Sequence, residues 1–414
     1  PPYFASSATF TEGEKLLMKT GLTLEEAQTA ILLNRVPLGT QMLPLERALG
    51  RTLAADVAAP LDQPPFDRSP LDGYALRSAD LAGADRDHPA VLEVVDTVYA
   101  GDEARIPVGP GQAVRLMTGA MLPPGCDCVV PQEDTDRGDP VSVFVSLKPF
   151  QNYVYQGEDN RKGTLLLEKG TRLDAAPHGV LAGAGITEVE VYRRPRVGLL
   201  TTGDEVVSPG TPLPAGKIYG SNQMLLAARL AELGVETETA HQGDDPAAVA
   251  EAMRELLEIC DVLLTTGGVS VGDKDIFHQA LPLLGAERIF WRVNLKPGTP
   301  AMYSLYEGKP ILSLSGNPFA AFTTFELLAR PLLAALTGEE GPRWGEGVLD
   351  TPFPKASPRR RFIRGRYENG HITLPEGHSS GMLASLVGCN CLAELPAGSP
   401  PAEAGTRVRI LLLE

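Results

Sequence analysis

Two stretches of the chain end an apolar run in the same way, LLTTGDE at 199–205 and LLTTGG at 263–268, and a third, SLSGNP at 313–318, ends alike. Glycine lets a backbone approach a ligand closely, and free N–H groups ahead of a helix suit an anion such as phosphate. Thr202, Gly203 and Glu205, then Gly267, Gly268, Ser270 and Asp275, then Gly316 and Asn317 therefore predict a phosphate-binding edge. Carboxylates there would repel the ligand unless a hard cation stood between them. Mg²⁺ does this with few carboxylates, waters and phosphate oxygens, and Glu205, Asp244 and Asp275 are its candidate ligands. Helix capping is the competing role for such acids, and it suits Asp245, which precedes Pro246. Positive charge comes from Lys296 in WRVNLKPGTP, with Arg292 four residues earlier. His241, His278 and His378 have no nucleophile or ligand spacing and read as structural. No Walker loop, dinucleotide fingerprint or nucleophile elbow is present.

The elements that must position these groups follow from pattern. RVGLLTTG, VETETAHQ, DVLLTTGG and PILSLSG read as buried strands, alternating with helices at NQMLLAARLAELG, DPAAVAEAMRELLEI and FAAFTTFELLARPLLAAL. Strands alternating with helices predict one mostly parallel sheet, and ligands bind beyond the carboxyl ends of such strands. Ahead of it, Thr23 and Glu26 form a capping box opening a helix, and PLERALG suggests a second short helix. Short β-rich runs fill about 61–150, with return strands near 153–192. After a Pro/Gly-rich linker, TGEEGPRWGEGVLDTPFPKASPRRR, come RFIRGRYENGHITL, NCLAEL and RVRILLL, which suggest a small β-barrel.

The 414 residues carry 37 basic against 52 acidic side chains, a formal charge of −15, which disfavours nucleic acid and anionic membranes. A phosphate-bearing substrate must then be small and met by local cations or metal. No uninterrupted run reaches the ~18 residues of a membrane span, and PPYFASSATFTEGEK lacks a basic segment followed by an apolar one, so a cytoplasmic location is expected. Five cysteines cannot all pair. Cys126 with Cys128, and Cys389 with Cys391, are too closely spaced for a zinc site and read as small core side chains.

One string resists explanation by turn chemistry alone, FDRSPLDGYA at 66–75. Together with RLMTGAMLPPGCDCVV, GED at 157–159, TTGDE, TTGGVSVGDKD, LKPGTP and SGNP, it makes the chain similar to the molybdopterin molybdenumtransferase family, which includes MoeA and the gephyrin E domain. The resemblance runs from about residue 20 to the terminus. It implies a discontinuous dimerisation domain (1–60 and 151–195), an inserted β-rich domain (61–150), a molybdopterin-binding α/β domain (196–340) and a C-terminal β-barrel (341–414), in an elongated homodimer. It also implies adenylated molybdopterin and molybdate as substrates, Mg²⁺ as cofactor, release of AMP, and an adenylyltransferase as possible partner. Matching motifs carry functional roles to Asp72, Thr118, Asp159, Glu205, Asp244, Asp275 and Lys296, with Arg364 and Ser380 as barrel residues facing the oxyanion. The family often has basic residues where Tyr155, Gln156 and Thr299 stand, which predicts a thinner positive charge around the phosphates. A dimeric binding scaffold without catalysis and an adenylyltransferase are the rival readings. A pure binder gains nothing from acids beside a phosphate.

Overall fold

The computed structural model describes residues 19–269 and 276–413. The chain divides between Gln41 and Met42, and again between Val191 and Tyr192, into two compact units. The unit made of the described residues up to Gln41 and from Tyr192 onward is built on a seven-stranded sheet. Its order is Lys19–Leu22, Glu287–Val293, Met302–Tyr306, Lys309–Leu314, Val262–Thr266, Arg196–Thr202 and Glu236–Gln242. Only Met302–Tyr306 runs antiparallel to its neighbours; all other pairings are parallel. Successive strand residues serve opposite faces, as the two-residue period requires. Leu199, Val262 and Leu264 enter one core with the helix Ser221–Glu232, while Leu200 and Leu263 enter another with Met253, Leu257, Phe277 and Leu281. Both faces are thus covered, which is why these strands read as unbroken apolar runs.

The capping box forms as expected, with Thr23 Oγ1 accepting from the Glu26 N–H at 3.2 Å and Glu26 Oε2 accepting from the Thr23 N–H at 2.8 Å. The helix it opens, Leu24–Leu33, packs on the α/β core through Leu24, Ala27 and Ile31. Residues 19–41 fall in the same compact unit as the α/β sheet. The reason is long-range pairing: Lys19–Leu22 lies parallel to Glu287–Val293, a partner that no local pattern announces.

A continuous helical stretch, Pro318–Thr337, is long and apolar enough to cross a membrane, and 83% of its most apolar window is buried within the protein. Its middle, Phe325–Ala329, widens into a π-turn. There Glu326, fully buried, pairs with Arg229 Nε at 2.7 Å and Arg330 Nη1 at 3.0 Å. The barrel follows, and its first strand, Trp344–Leu349, lies inside the stretch read as a linker. Arg360–Glu368 pairs with both His371–Thr373 and Cys391–Leu395, and the circuit closes through Trp344–Leu349 and Arg407–Leu412 into five strands. Phe362, Leu392 and Leu411 of the barrel join the same core as Leu199 and Phe319.

The other unit carries a five-stranded sheet, ordered Cys128–Pro131, Gly73–Leu76, Gln112–Leu116, Ala90–Val98 and Val141–Val143. Its return segment holds a helix, Ala175–Gly183, capped by Asp174, where only strands were expected. PLERALG forms a single 3₁₀ turn, Leu45–Arg47. Asp72 and Thr118 meet here. The Thr118 N–H and its hydroxyl both donate to Asp72 Oδ1 at 2.7 Å, and these bonds hold the carboxyl below the usual carboxylate range. All five cysteines are free thiols, and burial pushes Cys126, Cys128 and Cys391 up to about 12, which leaves them unreactive.

Removing one partner of a buried ion pair strands the other charge. Glu326→Gln is expected to cost about 3–5 kcal/mol, read from urea unfolding. Thr118→Val removes one of two donors to Asp72, so an NMR titration should find the carboxyl raised part of the way toward ~3.9. Because the folded value is depressed, the stabilisation is present above the unfolded value and is lost as pH falls through the folded one. The variant should accordingly flatten stability on the acid side only.

Candidate functional site

The carboxyl ends of the parallel strands deliver their loops to one place. Thr202, Gly203 and Glu205 follow the first of them, Asp244 the second, Gly267–Val269 the third, Ser315–Phe319 the fourth and Lys296–Pro300 the fifth. All of these line one cavity of about 1340 Å³, whose opposite wall is barrel: Phe353, Lys355, Arg359, Arg361, His378 and Ser379–Gly381.

The loop geometry explains the glycines. Gly267 has φ +108°, and a Cβ there would lie 2.5 Å from Thr202 Oγ1 and 2.8 Å from the Thr202 carbonyl oxygen. Gly203, at φ +136°, lies under the Glu205 carboxylate, which a Cβ would meet at 2.7 Å. At Gly267 a side chain is forbidden by space and by backbone conformation, whereas at Gly203 the carboxylate can move aside and the positive φ is the constraint. The hydroxyl of Thr202 is buried and has no hydrogen-bond partner among the described residues. Asn222 Nδ2 ties two loops together, donating to Thr266 Oγ1 and to the Gly316 carbonyl, each at 2.7 Å.

On the acidic side, the Asp244 N–H donates to Asp204 Oδ1 at 3.0 Å and the Asp204 N–H donates to Asp244 Oδ2 at 3.4 Å. This exchange pins the loop bearing Glu205 against the loop bearing Asp244. Asp245 is the helix cap, its carboxylate accepting from the Ala248 N–H at 2.8 Å. Glu205 and Asp244 thus line one wall as hard oxygen donors, a donor set that fits Mg²⁺ when waters and phosphate oxygens complete the shell. Among the described residues no group of three or more His, Cys, Asp or Glu forms a metal cage. Ser270 and Asp275 lie outside the described residues.

On the basic side, Leu295–Lys296 pairs in parallel with Arg360–Arg361, setting Lys296 opposite Arg361. The two-residue period of the barrel strand then sorts three consecutive arginines. Arg359 and Arg361 line the cavity, while Arg360 turns away to ion pairs with Glu25 and Glu394. Arg359 Nη1 donates to Thr299 Oγ1 at 3.2 Å, so the position expected to be short of charge has a guanidinium beside it. Four cations, Lys296, Lys355, Arg359 and Arg361, therefore share the cavity with Glu205 and Asp244.

Two of the expected anion contacts are elsewhere. Arg292 does not line the cavity; at φ +70° its guanidinium stacks on Trp291, 4.4 Å from the ring centroid. Arg364 is fully buried rather than facing an oxyanion. Its guanidinium lies 3.8 Å from the centroid of the Phe319 ring and donates to the carbonyls of Ser379 and Met382, bracing the loop that carries Ser380. Ser380 does line the cavity, and its carbonyl accepts from the Phe319 N–H at 3.0 Å. Asp72, Thr118 and Asp159 belong to the other unit. Sequence reasoning passed over Lys355, Arg359 and Arg361 as linker charges and His378 as structural. An alternation of basic residues leading into a strand, K-x-x-x-R-x-R, was the available signal.

Comparison with known proteins agrees along the whole length. Residues 22–185 match the family model described as MoeA N-terminal region (domain I and II), residues 198–335 the one described as probable molybdopterin binding domain, and residues 346–413 MoeA C-terminal region (domain IV). The chain is 35% identical over 403 residues to a protein named molybdopterin molybdenumtransferase from Staphylococcus aureus (strain COL), covering 95% of this chain and 96% of that one. It is 38% identical over 390 residues to the protein of the same name from Bacillus subtilis (strain 168), covering 90% of each. Among solved structures, the molybdopterin biosynthesis MoeA protein from Pyrococcus horikoshii superimposes with a TM-score of 0.84 at 30% identity, covering 95% of this chain and 100% of that one. Sequence, length and fold agree, and the chain belongs to the MoeA family of molybdopterin molybdenumtransferases.

Proposed function

We propose that the chain is a transferase that inserts molybdenum into molybdopterin in molybdenum cofactor biosynthesis. In this reading it takes adenylated molybdopterin and molybdate, an oxygen nucleophile attacks the phosphoric anhydride so that AMP leaves, and the two dithiolene sulfurs displace molybdate oxygens, which depart as water with the thiol protons. The observation that carries it is one cavity with carboxylates on the glycine-rich sheet edge and four cations opposite, in a chain whose relatives bear that activity in their name. The backbone N–H groups at Gly267–Val269 and ahead of the helix Pro318–Thr324 hold phosphate. Glu205 and Asp244 would hold Mg²⁺, with Asp275 as a third candidate from its motif, and the ion would neutralise charge on the anhydride oxygens. Lys296 stabilises the charge that develops on the departing phosphate, and Lys355, Arg359 and Arg361 hold the molybdate dianion. A homodimer, an adenylyltransferase that supplies the substrate, and a cytoplasmic location complete the proposal. Five free thiols support a reducing compartment.

Purified protein given adenylated molybdopterin, Mg²⁺ and molybdate should release AMP; no AMP under these conditions means the reading is wrong. Glu205→Gln should lower turnover on the order of a hundredfold while pterin binding, followed by fluorescence, stays within a few fold. A mere scaffold would lose nothing measurable. Gly267→Ala, which meets Thr202 at 2.5 Å, should instead weaken pterin binding and lower stability by about 1–3 kcal/mol.

A further inference from the structure

His378 lines the barrel wall of the cavity with Ser379, Ser380 and Gly381. Its Nδ1 is buried without a hydrogen-bond partner among the described residues, so a polar contact between this ring and a ligand in the cavity would fall to Nε2. The ring stands edge-on to Phe353, with centroids 5.2 Å apart. The two residues that follow it are held by their carbonyls. The Ser379 carbonyl accepts from Arg364 Nη2 at 2.7 Å, and the Ser380 carbonyl accepts from the Phe319 N–H at 3.0 Å.

The charges that bear on the ring are Arg364, Lys355 and Arg361, all positive, with no carboxylate among them. Burial first, and then these three cations, hold the imidazole below its ordinary value. A second proton would sit on Nδ1, buried without an acceptor and surrounded by positive charge. The neutral ring with its proton on Nε2 is the form that suits these surroundings.

We propose that His378 is an uncharged hydrogen-bond donor to the bound molybdate, its Nε2–H directed into the cavity alongside Lys355 and Arg361. The proposal rests on the reading of this cavity as the molybdate site. A neutral donor adds direction to a wall already crowded with cations, and a further positive charge would be repelled there.

Calorimetric titration of the full chain with sodium molybdate tests it. At pH 7 to 8 the heat should not depend on the ionisation enthalpy of the buffer, because no proton is taken up. The amide N–H of His378→Gln reaches where Nε2–H does, so that variant should bind within about threefold of the parent. His378→Asn, whose amide reaches only the Nδ1 position, should bind roughly ten- to a hundredfold more weakly. Equal affinity of His378→Asn and the parent overturns the proposal, as does parental binding that takes up a proton at about pH 7 to 8. Failure of the parent to bind molybdate at all refutes the wider reading of the cavity, and the role of His378 goes with it.

Discussion

Opposite charges that must not neutralise each other are the constraint on this site. Glu205 and Asp244 share a cavity with Lys296, Lys355, Arg359 and Arg361, and flexible side chains so placed would collapse into ion pairs that leave nothing for a ligand. Rigid frames prevent this. The acids stand on turns fixed by the parallel sheet and locked by the Asp204–Asp244 exchange, and three of the four cations stand on the barrel. The ladder between Leu295–Lys296 and Arg360–Arg361 sets the distance between the two walls, because it joins the α/β loop to the barrel by backbone rather than by side chain.

That frame depends on a shared interior. Phe362, Leu392 and Leu411 of the barrel lie in one core with Leu199 and Phe319, so barrel and sheet cannot shift separately without opening apolar surface to water. Glu326 sits in that core at the π-turn, bonded to Arg229 on a neighbouring helix and to Arg330 on the next turn. A π-turn adds a residue to the turn and redirects the helix locally. Here it coincides with a fully buried carboxylate whose partners come from two elements. The helix is thereby held in one rotational setting, and its amino end, Asn317 to Phe319, is presented to the cavity.

Much of this was legible in the chain. The apolar strands ending in Thr-Thr-Gly and Ser-Gly-Asn announce a parallel sheet and its ligand edge because strand burial on both faces removes polar alternation, and because only glycine tolerates the backbone at 203 and 267. Asp245 as a cap and the Thr23–Glu26 box were legible for the same reason, since both act within one turn of chain. What was not legible depended on register between distant segments. The strand Lys19–Leu22 is short and has no pattern of its own; its place comes from Glu287–Val293. Arg364 sits in a motif that resembles an oxyanion contact, but its burial follows from which face of the barrel strand points inward, a property set by pairing with Cys391–Leu395.

The same register argument bears on how a family can vary its charges without losing a site. At Thr299 the chain lacks the basic residue that the family resemblance led one to expect, and charge at the cavity should have fallen. The hydroxyl of Thr299 instead accepts from Arg359, a residue sixty positions away that arrives on the barrel side of the same cavity. A cation on a long side chain can be supplied from either wall, provided the walls are fixed with respect to each other. A carboxylate on a tight turn cannot, because its reach is short and its backbone must already be at the sheet edge. Glu205 and Asp244 therefore tolerate less relocation than any of the basic residues opposite them, and motif matching finds the acids more readily than the cations for that physical reason.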